Sequence, residues 1–239
     1  MALADALELP GTFGIARDRI LVFIAGGEQA LRDLAGAPED DAAEAAAALA
    51  RAGVGAGDCL ITLSASGSTP YALGALEEAK RRGMPVIAFA NNRGAPLLEK
   101  ADVAVLLETP PEVIAGSTRM GAGTAQKIAL NMLSTLVAVH LGHVHDGYMV
   151  NLLADNAKLR GRAARIVAAV SGCGLEEAGR LLDRSGGAVK AAILLASGAR
   201  DADAARQMLE RNGQRLRPAL SEFRGERGAE SLRSRQNRT

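Results

Sequence analysis

Residues 59–70 read CLITLSASGSTP, an apolar run that is followed by a short polar loop and a proline. The run at residues 59–64 has the uninterrupted aliphatic character of a strand buried in a parallel sheet. The proline opens a helical pattern over residues 71–82, which closes on three basic residues and a glycine, as helices commonly do. This stretch predicts a strand, a loop and a helix, the repeating unit of an α/β fold.

Three further apolar runs of the same kind lie at residues 20–25, 85–90 and 103–108. A helical pattern at residues 39–51 separates the first of them from the run described above. The alternation predicts an α/β fold in which a parallel sheet is flanked by helices and joined by right-handed crossovers. Residues 124–141 are apolar around most of a helical circumference, so we expect that helix to be buried in a domain core or a subunit interface.

Only helical patterns follow from about residue 151, and they predict a small helical bundle attached to the sheet domain. The last sixteen residues are rich in arginine and poor in large apolar side chains, which predicts a mobile basic tail. We therefore expect a sheet domain at residues 1–150, a bundle at residues 151–223 and a tail at residues 224–239.

The composition excludes several classes of function. A net charge of +1 and an aromatic fraction of 3% without tryptophan argue against a nucleic-acid partner. Two cysteines cannot build a disulfide framework, which favours a reducing, cytoplasmic compartment. No apolar run is long enough to span a bilayer, and the N-terminus lacks the pattern of a secretory signal. We expect a globular cytoplasmic protein without a membrane partner.

The loop after the run at residues 59–64 carries a candidate anion site. Ligands of open parallel sheets bind beyond the carboxyl ends of the strands, and hydroxyls with the N–H groups of a helix start can surround a phosphate. The loop holds no lysine, so it differs from the Walker pattern and favours a sugar phosphate over a nucleoside triphosphate. The alternative interpretation is an ordinary helix cap with proline at the first helical position.

Two further clusters invite a binding interpretation. Residues 116–124, GSTRMGAGT, form a second glycine-rich loop before a helix and add the cation Arg119. Residues 140–145, HLGHVH, hold three histidines. Gly142 interrupts the helical spacing that two ligands on one face would need, so we predict no metal site.

Several stretches together resemble the N-acetylmuramic acid 6-phosphate etherase family, whose members contain a sugar isomerase (SIS) domain and to which the vertebrate glucokinase regulatory protein is related. They are DALELPGTFG (5–14), IAGGEQAL (24–31), EDD (39–41), SASGSTPY (64–71), PPEVIAGSTRMGAGTAQKIALNMLST (110–135) and MVNLLADNAKLRGRAARIV (149–167). The resemblance runs in order from Asp5 to about residue 209, and the block at residues 110–135 is long and specific.

The resemblance implies a homodimeric lyase of cell-wall recycling that needs no metal or organic cofactor. It would cleave the D-lactyl ether of N-acetylmuramic acid 6-phosphate, and its C-terminal helices would resemble a ubiquitin-associated (UBA) bundle. By resemblance, Glu8 donates a proton to the departing lactate and Glu39 is the base that removes the C2 proton. The residues expected to bind substrate are Ser64, Ser66, Gly67 and Thr69 for the phosphate, and Ser117 and Thr118 for the sugar.

The chain also departs from the family pattern. Family members carry about seventy more residues before the position of Asp5, a substantial part of a domain. Those residues include a strand and a GAGTSGR loop, and we expect this chain to lack them. Ser68 and Gly121 stand where the family usually has arginine and lysine, which would weaken anion binding. These departures favour an alternative, a non-catalytic regulatory protein that binds a sugar phosphate. A third possibility is an aldose–ketose isomerase.

Overall fold

The computed structural model describes residues 1–33, 36–152 and 157–223, and only the backbone of Lys158. The chain forms two compact units. The first comprises Met1–Ala6 and Ile20–Met132, and the second comprises Leu7–Arg19 and the described residues from Leu133 onward. No helix of the described residues is long and apolar enough to cross a membrane.

The α-helices of the described residues are α1 (Ala2–Phe13), α2 (Ala42–Ala52), α3 (Pro70–Arg81), α4 (Pro96–Lys100), α5 (Gly121–His140), α6 (Ala157–Ser171), α7 (Leu175–Arg184), α8 (Val189–Ser197) and α9 (Ala202–Arg211). The strands are β1 (Leu60–Leu63), β2 (Val86–Ala90), β3 (Val103–Leu106), β4 (Val144–His145) and β5 (Tyr148–Met149). Strands β1, β2 and β3 form a parallel sheet in that order, and β4 pairs with β5 as an antiparallel hairpin.

The parallel sheet confirms the predicted α/β fold. On one face, Val86 and Ala88 of β2 pack with side chains of α2, α3 and α4 into a buried apolar cluster. The expectation that every strand is buried on both faces is wrong for the outer strands. Ile61 of β1 and Val103 of β3 are 41% and 52% exposed. An apolar run favours a strand, but burial also needs a neighbouring element on each face.

The predicted strand at residues 20–25 is wrong. The segment has no regular secondary structure and contributes nothing to the three-stranded sheet, whose edge is β1. A strand is stabilised by hydrogen bonds to a neighbouring strand, and residues 20–25 pair with none of the three strands of this sheet. Phe23 packs against the buried cluster, whereas Leu21 is exposed. Gly26, at a φ of 79°, then turns the chain.

The helix predicted over residues 39–51 begins later than expected. Asp41 is the N-cap of α2, and its carboxylate accepts a hydrogen bond of 2.9 Å from the Glu44 backbone N–H. Glu39 instead lies in a short 3₁₀ helix, Ala37–Asp40. Helix α3 agrees with the prediction to within a residue at each end, and α5 ends at His140, before the glycine that was expected to stop it.

The second unit contains the predicted C-terminal helices, α6 to α9, around a core of small and branched apolar side chains. Lys190 of α8 is only 5% exposed, and its Nζ donates a hydrogen bond of 2.8 Å to the Gln214 carbonyl oxygen. Burial lowers the pKa of this lysine to about 8. The predicted tail at residues 224–239 lies outside the described residues, and the division at residue 150 stays a prediction.

Candidate functional site

The loop between β1 and α3 folds around a cluster of hydroxyl groups. The Ser64 Oγ lies 2.8 Å from the Thr69 Oγ1 and 3.2 Å from the Ser66 Oγ. It also accepts a hydrogen bond of 3.0 Å from the Gly67 backbone N–H. The Ser66 Oγ in turn accepts from the Ser68 N–H. The structure therefore brings together four predicted site residues at the carboxyl end of a parallel strand, where ligands of such sheets bind.

Gly67 is required by the shape of this loop. Its φ is +71°, a region that side chains with a Cβ rarely adopt. A Cβ built there would lie 2.4 Å from the Cβ of Ala95 and 2.9 Å from the Cβ of Ala90. The Gly67 carbonyl oxygen accepts a hydrogen bond of 3.0 Å from the Leu97 N–H, so the next crossover holds the loop in place.

Thr69 separates the two interpretations of this loop. It occupies the N-cap position of α3, followed by a proline, but its side chain makes no capping hydrogen bond. Its hydroxyl contacts Ser64 instead. The helix-cap alternative is therefore wrong for Thr69, and the first turn of α3 keeps N–H groups that no side chain caps.

In the second glycine-rich loop, a carboxylate of the protein binds the start of the following helix. The Glu112 carboxylate accepts hydrogen bonds of 3.2 Å from the backbone N–H groups of Met120 and Ala122, at the start of α5. Because a carboxylate already satisfies these groups, the helix start offers less to a ligand phosphate than that of α3 does. Ser117 and Thr118 lie in the loop that this contact closes, and Thr118 is exposed.

A buried amide pair ties α5 to the carboxyl edge of the sheet. Asn91, directly after β2, donates a hydrogen bond of 2.7 Å to the Leu107 carbonyl oxygen. Its side-chain oxygen accepts a hydrogen bond of 3.0 Å from the Gln126 side chain of α5. Gln126 lies in the second turn of α5, so this bond fixes the N-terminal part of that helix beside the strand ends. The sequence pattern did not mark Asn91, Gln126 or Glu112 as site residues. A polar residue directly after an apolar run could have indicated Asn91, but no local pattern marks Glu112.

An arginine and a glutamate at the carboxyl edge of the parallel sheet form an ion pair. Arg93 follows β2 and donates two hydrogen bonds, of 2.7 and 2.8 Å, to the carboxylate of Glu108, which follows β3. These hydrogen bonds hold the pKa of Glu108 below its usual range. Arg93 is therefore already paired within the protein.

The two predicted catalytic glutamates are both exposed. Glu39 belongs to the first unit, as do both loops, and Glu8 lies in α1 among the residues of the second unit. Among the described residues, neither carboxylate has a side-chain hydrogen-bond partner. Their roles stay a prediction.

A hollow of about 820 Å³ also lies in the first unit, next to residues 22–24 and α2. The ion pair between Glu44 and Arg51 lies at its wall, with 2.5 Å between the two charged groups. None of the eight predicted site residues lines this hollow, so its size alone does not identify it as the sugar site.

The three histidines lie in different environments. His140 ends α5, and His145 in β4 lies 3.4 Å from the Asp146 carboxylate. Burial and the charge of Lys190 hold the pKa of His143 below its usual range. The described part of the chain contains no group of three His, Cys, Asp or Glu side chains placed to hold a metal ion.

Comparison with known proteins identifies the family. Residues 41–136 match the SIS domain. The N-acetylmuramic acid 6-phosphate etherases of Deinococcus radiodurans and Rubrobacter xylanophilus are each 44% identical to the chain, over 195 and 194 residues. These alignments cover 82% and 81% of this chain and 64% of each relative, so the chain spans a little under two thirds of their length.

The enzyme of the same name from Serratia proteamaculans is 41% identical over 207 residues, which are 87% of this chain and 70% of the relative. The chain therefore belongs to the N-acetylmuramic acid 6-phosphate etherase family.

Proposed function

We propose that the chain is a lyase that cleaves the D-lactyl ether of N-acetylmuramic acid 6-phosphate. The products are N-acetylglucosamine 6-phosphate and D-lactate. The observation that carries the proposal is the hydroxyl cluster of Ser64, Ser66 and Thr69, in a chain that is 44% identical to named etherases. The cluster lies at the start of a helix that has no side-chain cap, which is a suitable place for a sugar phosphate.

The substrate-binding residues divide between the two loops. The hydroxyls and backbone of Ser64, Ser66, Gly67 and Thr69 hold the phosphate. Ser117 and Thr118 line the sugar, because their own helix start is occupied by the Glu112 carboxylate. The Asn91–Gln126 hydrogen bond supports this assignment, since it brings the N-terminal part of α5 to the same edge of the sheet as the phosphate loop.

The chemistry needs one base and one acid. Opening of the sugar ring exposes an aldehyde at C1, which acidifies the proton on C2. Glu39 removes this proton while Glu8 protonates the ether oxygen on C3, and lactate leaves with its oxygen protonated. Water then adds at C3 of the conjugated aldehyde and a proton returns to C2. The net reaction consumes one water and needs no redox partner, metal or organic cofactor.

We further propose that the enzyme is a cytoplasmic homodimer. Ile128, Met132, Leu136 and Val139 recur at helical spacing along α5 and are each between 49% and 62% exposed. An exposed apolar stripe without charge marks an interaction surface, and two such stripes can pair about a two-fold axis without repulsion. The free cysteines Cys59 and Cys173 suit a reducing compartment.

The decisive experiment measures D-lactate released from N-acetylmuramic acid 6-phosphate by the purified chain. We expect release by the wild type and its loss in Glu8→Gln and Glu39→Gln. Glu77→Gln, in an exposed ion pair with Lys100, makes the same carboxylate-to-amide change elsewhere and should leave release intact. In D₂O, Glu8→Gln should still exchange the C2 proton, whereas Glu39→Gln should not. Binding of the sugar phosphate by folded wild type without D-lactate release would contradict the proposal.

A further inference from the structure

The first residues of α1, up to Ala6, belong to the first unit and carry a carboxylate that contacts α5 within that unit. Among the residues of α1, all of which are described, Asp5 is the one that is buried, at 7% exposure. Leu7, two residues later, is exposed. A buried carboxylate is costly unless it is hydrogen-bonded or paired with a cation, so Asp5 must be compensated by its neighbours.

The compensation comes from two residues of α5. The Asn131 Nδ2 donates a hydrogen bond of 2.8 Å to the Asp5 Oδ1, and the Lys127 Nζ lies 3.5 Å from the same oxygen. Residues 127 and 131 are four apart on a helix, so both side chains face the same point. Asp5 is thus held by a neutral donor and by a cation.

The Lys127 ammonium depends on this contact. Its Nζ is buried and has no hydrogen-bond partner among the described residues, so the Asp5 carboxylate at 3.5 Å is the anion that compensates its charge. Removal of one member of a buried pair leaves the other charge uncompensated, which costs far more than the pair contributes. The contact therefore gives the N-terminal residues of α1 a strongly preferred position beside Lys127 and Asn131.

We propose that Asp5, Lys127 and Asn131 form a clamp that fixes the position of α1, and that Lys127 is a positioning residue acting through Glu8. Glu8 is three residues after Asp5, which places the two carboxylates about one turn apart on the same side of α1. The inference rests on the proposed function, because it takes Glu8 as the proton donor. Lys127 itself need not touch the substrate.

The test combines amide hydrogen exchange over residues 2–13 with steady-state kinetics, on Asp5→Asn, Lys127→Met and the double variant. We expect each single variant to lose about tenfold or more of the exchange protection of α1 while β2 keeps its protection. We expect kcat to fall about 100-fold with little change in KM, because a displaced proton donor slows the chemistry rather than binding. The double variant should lose no more protection and no more kcat than the more impaired of the two single variants, since it leaves no unpaired charge.

Glu77→Gln and Lys100→Met break an exposed ion pair in the same way and serve as controls. Unchanged exchange over α1 in both single variants would overturn the clamp, whatever the activity. A rise in KM with α1 still protected would also overturn it and would identify Lys127 as a substrate-binding cation. Loss of protection throughout the first unit would indicate a general structural role and contradict the inference. A wild type that releases no D-lactate would contradict the proposed function, whereas the exchange measurement would still decide whether the clamp exists.

Discussion

The hydroxyls of Ser64 and Thr69 lie 2.8 Å apart, although Thr69 occupies the position from which a threonine normally caps its helix. The side chain has been turned away from the helix start and towards the end of β1. A hydroxyl carries one proton and can accept as well. The Ser64 hydroxyl accepts from the Gly67 N–H and can donate its proton to Thr69, which leaves the Thr69 proton free for an anion. The pair is therefore organised to bind an anion above the first turn of α3.

Thr69→Val should weaken sugar-phosphate binding with little effect on stability. It removes one donor to the anion and the partner of Ser64, so we expect about a tenfold rise in the dissociation constant, the magnitude of one hydrogen bond to a charged group. Isothermal titration with N-acetylglucosamine 6-phosphate measures this directly. Ser197→Ala, which removes a hydroxyl bonded to a carbonyl within α8, is the matched control. Equal affinities for Thr69→Val and the wild type would contradict the assignment.

Gly67→Ala should destabilise the first unit as well as the loop. The new Cβ would meet two alanine Cβ atoms, and the backbone would hold a non-glycine residue at a φ of +71°. We expect a loss of about 2–4 kcal/mol in the free energy of unfolding, measured by urea denaturation.

Two glycine variants separate these contributions. Gly94→Ala has a similar φ, +65°, with no atom near the new Cβ, and should show the cost of the backbone alone. Gly57→Ala has neither a positive φ nor a close neighbour and should be nearly neutral. A Gly67→Ala variant as stable as Gly94→Ala would show that the contact with Ala95 relaxes without cost.

The sequence predicted the parts of this site that depend on local pattern. The loop at residues 64–69 follows an apolar run and precedes a proline, so its position at the carboxyl end of a strand could be derived. The capping of α5 by Glu112 could not, because the two are joined by a loop whose path depends on tertiary contacts. The strand predicted at residues 20–25 was wrong for a similar reason, since an apolar run does not indicate whether a neighbouring strand is present to pair with it. Helix α1 has a proline at residue 10 and a polar anchor, so its pattern gave no signal.

Glu112→Ala should loosen the second loop. The variant removes the acceptor for the Met120 and Ala122 N–H groups, so we expect faster amide exchange at both and a loss of about 1 kcal/mol in stability, as for other helix caps. Glu112→Gln keeps an acceptor oxygen and should retain much of the protection. If the loop lines the sugar, KM should rise in Glu112→Ala. Unchanged exchange at Met120 and Ala122 would contradict the capping role.

Leu136→Glu should convert a dimer into a monomer. The stripe on α5 is uncharged, and a carboxylate at its centre would be buried against its symmetry-related copy, where like charges repel. Light scattering after gel filtration should give the mass of two chains for the wild type and of one chain for the variant. Leu175→Glu replaces an equally exposed leucine at the start of α7 and should remain dimeric. A monomeric wild type, or a dimeric Leu136→Glu variant, would contradict the proposed interface.

Lys190→Met should remove a pH dependence of stability. Burial lowers the pKa of Lys190 from 10.5 to about 8 in the folded protein, so the unfolded chain binds more protons between those values. Stability of the wild type relative to the variant should therefore be constant below about pH 7 and rise by about 3 kcal/mol towards pH 10.5. Urea unfolding of both proteins at pH 7, 9 and 10.5, followed by far-ultraviolet circular dichroism, measures this difference. The matched control is Lys100→Met, which removes an exposed lysine and should show no such rise. A constant difference between wild type and Lys190→Met across this range would mean that the ammonium is solvated, through opening of the contact between α8 and Gln214.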